Sequence, residues 1–197
     1  MGMDKHGFAG VKSKLRAEIR AALKNLPSEK RTAASAKTCG LLRKQPFWRS
    51  AATILFFAPL PGEIDVWPLL EETLATGKSV ALPRFDSAHQ SYVACRVQNL
   101  RSEIVTGRFG IREPAADCLE MPLADLALAL VPGVAFDLRG HRLGRGHGFY
   151  DRLLVHFAGR KIGIAFDQQV VDAILAEGQD VRMDFILTPT RCVKCET

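Results

Sequence analysis

Residues 53–82 restrict the fold more than any other stretch. Thr53-Ile54-Leu55-Phe56-Phe57-Ala58 is apolar at every position after the first, the pattern of a strand buried on both faces of a parallel sheet. The turn Pro59-Leu60-Pro61-Gly62 follows. A helix is expected over residues 65–76, closed by Gly77, and then a strand over 79–82. Strand, helix, strand is a crossover unit, which belongs to a parallel sheet with helices packed on it.

The rest of the chain extends that unit. Val11, Leu15, Ile19, Ala22, Leu23 and Leu26 fall at helical spacing and stop at Pro27. Lys12, Arg16 and Arg20 form a basic stripe along one flank of this helix. Ser28 is placed to cap a second helix running to about Lys44. Strands are expected over 92–97, 126–131, 161–166 and 185–188, and a helix over 149–157. The sequence therefore reads as one α/β domain spanning residues 1–197, with a mostly parallel sheet and a helical N-terminal segment. In such sheets ligands sit beyond the carboxyl ends of the strands. Loops 59–65, 83–86 and 132–148 are expected to converge there.

Composition narrows the partners. The 27 basic and 21 acidic residues give a formal charge of +6, which favours an anionic ligand. The basic residues are spread along the chain without the interleaved aromatics of a nucleic-acid surface. No apolar run reaches the ~18 residues of a membrane span. Five cysteines without framework spacing argue against a disulfide-built secreted protein. The isolated pair Cys192 and Cys195 reads as two reduced surface thiols, because zinc would want a second ligand pair. No secretory signal is evident, so the cytoplasm is the expected location.

Chemistry concentrates in residues 131–154. After Pro132-Gly133, three glycines (Gly144, Gly146 and Gly148) alternate among Arg142, Arg145 and His147, just before the expected helix. Glycines let backbone amides approach a ligand, and guanidinium forks suit phosphate or carboxylate. The loop is built to hold an anion. It is not the dinucleotide fingerprint, since its third glycine comes one residue early. Gly77-Lys78-Ser79 is not a P-loop either, since Glu72 stands where the earlier glycine belongs.

Around this loop several residues carry two readings each. Asp151 either complements a helix dipole or holds Mg²⁺ together with phosphate oxygens. Asp65 reads as a helix cap, whereas Glu63 has no such duty and suits a ring bearing N–H donors. Arg84 is a surface arginine or a ligand contact. Phe149 and Tyr150 are core residues or a stacking wall for a flat heterocycle. No Ser–His–Asp order, GxSxG elbow or metal-ligand histidine spacing is present, so no protein nucleophile is visible.

Taken in order, these residues resemble the 5-formyltetrahydrofolate cyclo-ligase (methenyltetrahydrofolate synthetase) family. Its PGxxFDxxGxRLGxGxGYYD signature is matched by Pro132-Gly133, Phe136-Asp137, Gly140, Arg142-Leu143-Gly144, Gly146, Gly148 and Tyr150-Asp151. The Lys-x-x-Leu-Arg element at Lys12–Arg16, the turn Gly62-Glu63-Ile64-Asp65, Pro83-Arg84 and Phe109-Gly110-Ile111 before Glu113-Pro114 agree in order. Phe149 departs from the pattern, keeping a ring where many members have tyrosine.

The resemblance implies a three-layer α/β/α sandwich and an ATP- and Mg²⁺-dependent ring closure of 5-formyltetrahydrofolate, with or without a polyglutamate tail, by a monomer or weak homodimer. It implies that Lys12, Arg16 and the loop from Arg142 through Leu143, Gly144, Arg145, Gly146, His147, Gly148 and Phe149 to Tyr150 hold the triphosphate. Arg145 and Lys12 would stabilise charge on the transferred group, and Asp151 would meet Mg²⁺. Glu63 would recognise the pterin, with Phe57, Arg84, Phe109, Gly148 and Tyr150 also at the folate.

Overall fold

The computed structural model describes residues 5–178 and 180–196, without the side chains of residues 5–8 and Phe109. Three helices lead the chain: α1 (Lys5–Lys24), α2 (Ser28–Arg43) and α3 (Pro46–Ser50). The crossover unit follows as β1 (Thr53–Leu55), α4 (Trp67–Ala75) and β2 (Ser79–Asp86). Next come β3 (Ser91–Val97), the hairpin of β4 (Ile104–Thr106) and β5 (Arg112–Pro114), then β6 (Leu128–Pro132), β7 (Ala135–Asp137), β8 (Arg142–Leu143) and α5 (Phe149–Leu154). The chain closes with β9 (Arg160–Ile164), β10 (Val170–Val171), β11 (Phe185–Leu187) and β12 (Cys192–Lys194).

Seven strands form the central sheet in the order β12-β11-β9-β6-β1-β2-β3. The five inner strands run parallel, and β12 and β3 pair antiparallel at the two edges. The central stretches of the inner strands are apolar because both of their faces are buried there. Ile54, Val80, Leu82, Leu128, Leu130, Ile162 and Ile164 point to one core. Their alternates Leu55, Ala81, Ala129 and Val131 point to the other.

The two faces are covered differently. The Ile54 face packs against Cys39 and Leu42 of α2, Phe47 and Trp48 of α3, and Leu69 and Leu70 of α4. The opposite face presents small residues, and its outer layer is α5, through Leu153 and Leu154, together with Phe136 from β7. At Gly163 a Cβ would come within 2.6 Å of the Phe136 ring, so the absence of a side chain is what lets β7 approach the sheet. Strand β7 forms a small sheet with β10 and β8. Helix α1 seats Ile19, Leu15 and Leu23 on Val134, Ala135 and Leu143 of this layer.

Element boundaries differ from the sequence expectation at informative places. Pro27, not Ser28, precedes the first turn of α2, and no side chain caps it. Helix α4 begins at Trp67, and Asp65 Oδ1 accepts the Trp67 N–H at 3.0 Å. Strand β2 runs on to Asp86, because β3 folds back and pairs with it from Val80↔Val97 to Asp86↔Ser91. Residues 83–86 are therefore strand rather than loop. Helix α5 stops at Leu154, three residues early. Cys192 and Cys195 are not a surface pair: Cys195 is buried, and the two pack against opposite cores. All five cysteines are free thiols.

Two buried polar anchors hold the layers that carry the loop. Asp137 accepts the N–H groups of Arg139, His141 and Ile174 at 2.9–3.0 Å and contacts His141 Nδ1 at 2.9 Å. Burial works to raise this carboxyl. The bonds from the His141 ring, the Ile174 N–H and the His141 N–H outweigh it and hold the group below its ordinary range. Gln169 donates to the carbonyls of Gly133 and Val134 and accepts the Phe166 N–H. Among the described residues no helix is long and apolar enough to cross a membrane.

Candidate active site

A cavity of about 400 Å³ opens over the carboxyl ends of the parallel strands, a volume in the ordinary range for small-ligand sites. Ala58, Leu60 and Glu63 enter it from beyond β1, Pro83 from β2, and Pro132 and Gly133 from the end of β6. Residues 142–151 supply the rest of one wall: Arg142, Gly144, Arg145, His147, Gly148, Phe149, Tyr150 and Asp151. The three regions expected to converge therefore do so, with β2 contributing Pro83 from a strand.

Arg142 is the most constrained of these side chains. It is only 4% exposed, and its Nη2 donates to Asp151 Oδ1 at 2.7 Å. Its guanidinium lies 5.8 Å from the Tyr150 ring centre. A Cβ at Gly144 would come within 2.9 Å of Nη1, so that glycine makes room for the guanidinium. Arg142 Nε is buried with no protein partner. The next glycine of functional weight, Gly148, has φ +64° and precedes α5. That left-handed backbone turns the loop into the helix at little steric cost only for glycine.

Arg145 is a different kind of residue. Its side chain is 47% exposed, and Nη2 donates to Glu63 Oε1 at 2.8 Å. Glu63 Oε2 accepts the Leu60 N–H at 2.9 Å, which pins the carboxylate to its own turn. Arg16 reaches the loop from α1, donating from Nε to the Gly144 carbonyl at 2.9 Å. Burial, with Arg20 nearby, lowers the Arg16 guanidinium from its usual pKa.

The aromatic cluster draws on three elements, α5, β2 and β3. Phe149 meets Phe85 and Tyr92 edge-on at 5.5 and 5.2 Å, and His147 stacks on it at 5.4 Å. These contacts use only the ring of Phe149, which accounts for a phenylalanine at this position. Burial, then the charges of Glu63 and Tyr92, push the Tyr150 phenol well above its normal value. The shift keeps the Tyr150 phenol protonated near neutral pH.

Of the expected site residues, Lys12, Arg16, Phe57, Arg84, Leu143 and Gly146 lie off the cavity lining. Phe57 is fully buried in the core cluster that holds Ile64 and Val66. Arg84 turns outward, where Nη1 bonds the carbonyls of Ala115, Ala116 and Cys118 and Nη2 pairs with Glu120 at 3.0 Å. It ties the segment after β5 to the sheet edge and does not line the cavity. Lys12 Nζ sits between Glu177 and Asp180 at 2.8 and 3.6 Å. The Phe109 side chain lies outside the described residues.

Four cavity residues were not anticipated as such: Arg20, Tyr92, Ile111 and Glu113. Arg20 was visible only as the next member of the α1 basic stripe. Glu113 arrives on β5, and its Oε2 accepts the Phe85 N–H at 3.1 Å. Its signal was the carboxylate in Ile111-Arg112-Glu113-Pro114, but nothing local said that the β4–β5 hairpin folds over the end of β2.

Fold and site together define an α/β protein with an arginine-lined, aromatic-walled cavity at the carboxyl edge of a parallel sheet. The chain belongs to the 5-formyltetrahydrofolate cyclo-ligase family, whose model matches residues 9–189, and it is thus one of a family of ligases named for a folate. It is 35% identical over 145 residues to the 5-formyltetrahydrofolate cyclo-ligase of Escherichia coli K12, covering 72% of this chain and 80% of that one. Identity to the Mycolicibacterium smegmatis protein of that name is 36% over 147 residues, covering 72% and 76%. The fold matches the NMR structure of Aquifex aeolicus 5,10-methenyltetrahydrofolate synthetase with a TM-score of 0.85 and 32% identity, over 95% of this chain and 94% of that one. A Mycoplasma pneumoniae 5,10-methenyltetrahydrofolate synthetase, 22% identical with a TM-score of 0.73 over 90% and 98%, shares the fold.

Proposed function

We propose that this chain closes 5-formyltetrahydrofolate to 5,10-methenyltetrahydrofolate in the cytoplasm, driven by MgATP and releasing ADP and phosphate. One observation carries the reading beyond family membership. A single cavity combines the cations Arg20, Arg142 and Arg145, the carboxylates Glu63 and Glu113, and the rings of Tyr92, Phe149 and Tyr150. The cations suit a triphosphate, and the carboxylates and rings suit a reduced pterin.

The substrate's own atoms do the bond-making. The formyl oxygen attacks the γ-phosphorus, the bond to the bridging oxygen breaks, and ADP leaves with that electron pair. N10 of the folate then adds to the activated formyl carbon and gives up its proton. The carbon–oxygen bond breaks, and phosphate departs carrying the former formyl oxygen. This chemistry needs no protein nucleophile, and among the described residues the cavity lining holds no serine, cysteine or lysine. The protein's contribution is alignment and charge stabilisation.

Each side chain has a defined task in this scheme. Arg142 and Arg145 hold phosphate oxygens, with Arg16 bracing the loop at Gly144 and Arg20 adding positive charge. Glu63 accepts the N–H donors of the pterin once Arg145 has turned to phosphate, so one movement frees both partners of their 2.8 Å pair. Lys12 serves the triphosphate only on leaving Glu177 and Asp180. Among the described residues no group of three His, Cys, Asp or Glu side chains is placed to hold a metal. That fits a magnesium ion carried on the triphosphate, where phosphate and water supply most ligands. Asp151 is the carboxylate that would meet it, and the ion would neutralise charge on the departing ADP.

The route of the oxygen tests the scheme. With ¹⁸O in the formyl group, the label should appear in inorganic phosphate and not in water. Label in water would mean that the formyl oxygen is never phosphorylated.

A further inference from the structure

Arg152 joins the turn between β2 and β3 to the loop before α5. Its Nη1 donates to the His147 carbonyl at 3.0 Å, and its Nη2 donates to the Gln90 carbonyl at 3.2 Å. The same guanidinium lies over the Phe149 ring, 5.1 Å from its centre. At Gly148 a Cβ would come within 3.2 Å of Nη1. The turn shows that it is held: among the described residues Gln90, at φ +49°, is the one non-glycine with a positive φ. Such a backbone persists where its surroundings over-determine it. Among the described residues neither Arg152 nor the turn 87–90 lines the cavity, whereas His147, Gly148 and Phe149 do. Arg152 therefore stands behind the aromatic wall.

We propose that Arg152 is a positioning residue for folate: it bridges the β2–β3 turn to the loop before α5 and so fixes Phe149 as a wall of the cavity. The inference deepens the preceding reading and rests on its statement that the cavity's rings receive the pterin. The bridge suits arginine, whose planar fork offers two terminal nitrogens in fixed relation, whereas lysine offers a single point charge. Arg152 follows Phe149 by three residues on α5, the spacing that puts two helical side chains side by side. The cation then attracts the face of the ring. Contacts with Phe85, Tyr92 and His147 seat that ring in the aromatic cluster, and the Arg152 bridge sets the backbone that carries it. The arginine-bearing end of the loop is braced separately, by Arg16 at the Gly144 carbonyl. Loss of Arg152 should therefore loosen the aromatic side of the cavity more than its cationic side.

The test is calorimetric titration of the full chain with 5-formyltetrahydrofolate and, separately, with inorganic triphosphate. Arg152→Met should weaken folate binding about 5- to 30-fold, as for loss of exposed hydrogen bonds and a cation–ring contact. Triphosphate binding should change by no more than about twofold, as for an independent site. Arg152→Lys, which keeps the charge but not the fork, should fall between wild type and Arg152→Met. In a Phe149→Leu background, Arg152→Met should cost less than about threefold in folate affinity, because the wall it positions is gone. Equal losses for both ligands, additive losses, or an Arg152→Lys that binds folate like wild type would overturn the proposal. NMR of the ligand-free protein reads the bridge itself. The Ser91 and Gly148 amides each share a peptide unit with a carbonyl that Arg152 binds, and both should shift in Arg152→Met. A resonance that stays in place at either position would refute the bridge. Should Arg152→Met fail to fold by circular dichroism, Arg152→Lys decides by the same titrations and spectra. A wild type that binds no folate would refute the cyclo-ligase reading, and the two amide shifts would still decide the bridge.

Discussion

Glu63→Gln separates a recognition role from a structural one. The carboxylate makes two contacts, with the Leu60 N–H at 2.9 Å and with Arg145 at 2.8 Å. Glutamine keeps one acceptor oxygen, which can retain the Leu60 bond that shapes the turn. What is lost is an ion pair whose arginine is 47% exposed, and such pairs contribute about 0–1 kcal/mol. For a chain of this size that corresponds to a melting shift of about 4 °C or less. Folate binding should suffer more. A carboxylate accepting ring N–H groups is worth about 1.5–3 kcal/mol, so the dissociation constant should rise about 10- to 150-fold. Titration with 5-formyltetrahydrofolate beside a thermal melt gives both numbers. An unchanged dissociation constant would remove Glu63 from the pocket. A melting loss of 10 °C or more would show that the turn, not the ligand, needs the charge.

Other substitutions probe separate parts of the molecule. Arg145→Ala should lower kcat about 10²- to 10³-fold, as for loss of a transition-state donor, without weakening folate binding, since it releases Glu63; a folate affinity that falls as far as kcat would reassign the residue to ground-state binding. Asp137→Asn turns a buried four-contact acceptor into a partial donor and should cost about 3–5 kcal/mol. Because the folded Asp137 carboxyl is held below its ordinary value, its contribution is complete above that ordinary value and is lost as pH falls through the folded one. The gap in melting temperature between wild type and variant should therefore be constant near neutrality and close in acid; a gap that widens in acid would contradict the assignment. Gly163→Ala should cost about 1–3 kcal/mol by overpacking, since its Cβ meets Phe136 at 2.6 Å, and should leave kcat unchanged below the melt; full stability would show that β7 is free to shift.

The sequence made the sheet legible because the central stretches of its inner strands are buried on both faces and read as short apolar runs. It made the anion loop legible because glycine and arginine alternate within a few residues. What it hid depends on contacts distant in the chain. The reversal at β3 is set by a turn in which Asp86 accepts the Ala88 and His89 N–H groups, and this pairing extended β2 and turned Arg84 outward. Glu113 reached the cavity on a hairpin whose placement no local pattern encodes. Asp151 left two readings open in the sequence, and the structure added a third, its bond to Arg142. Lys12 illustrates the same limit, since its partners Glu177 and Asp180 lie more than 160 residues away.

The central claim is tested most directly by mixing the purified chain with 5-formyltetrahydrofolate and following the absorbance of 5,10-methenyltetrahydrofolate. The account predicts a rise that requires both ATP and Mg²⁺, with one ADP formed for each product molecule. No rise with MgATP present, or an equal rise without ATP, would contradict it.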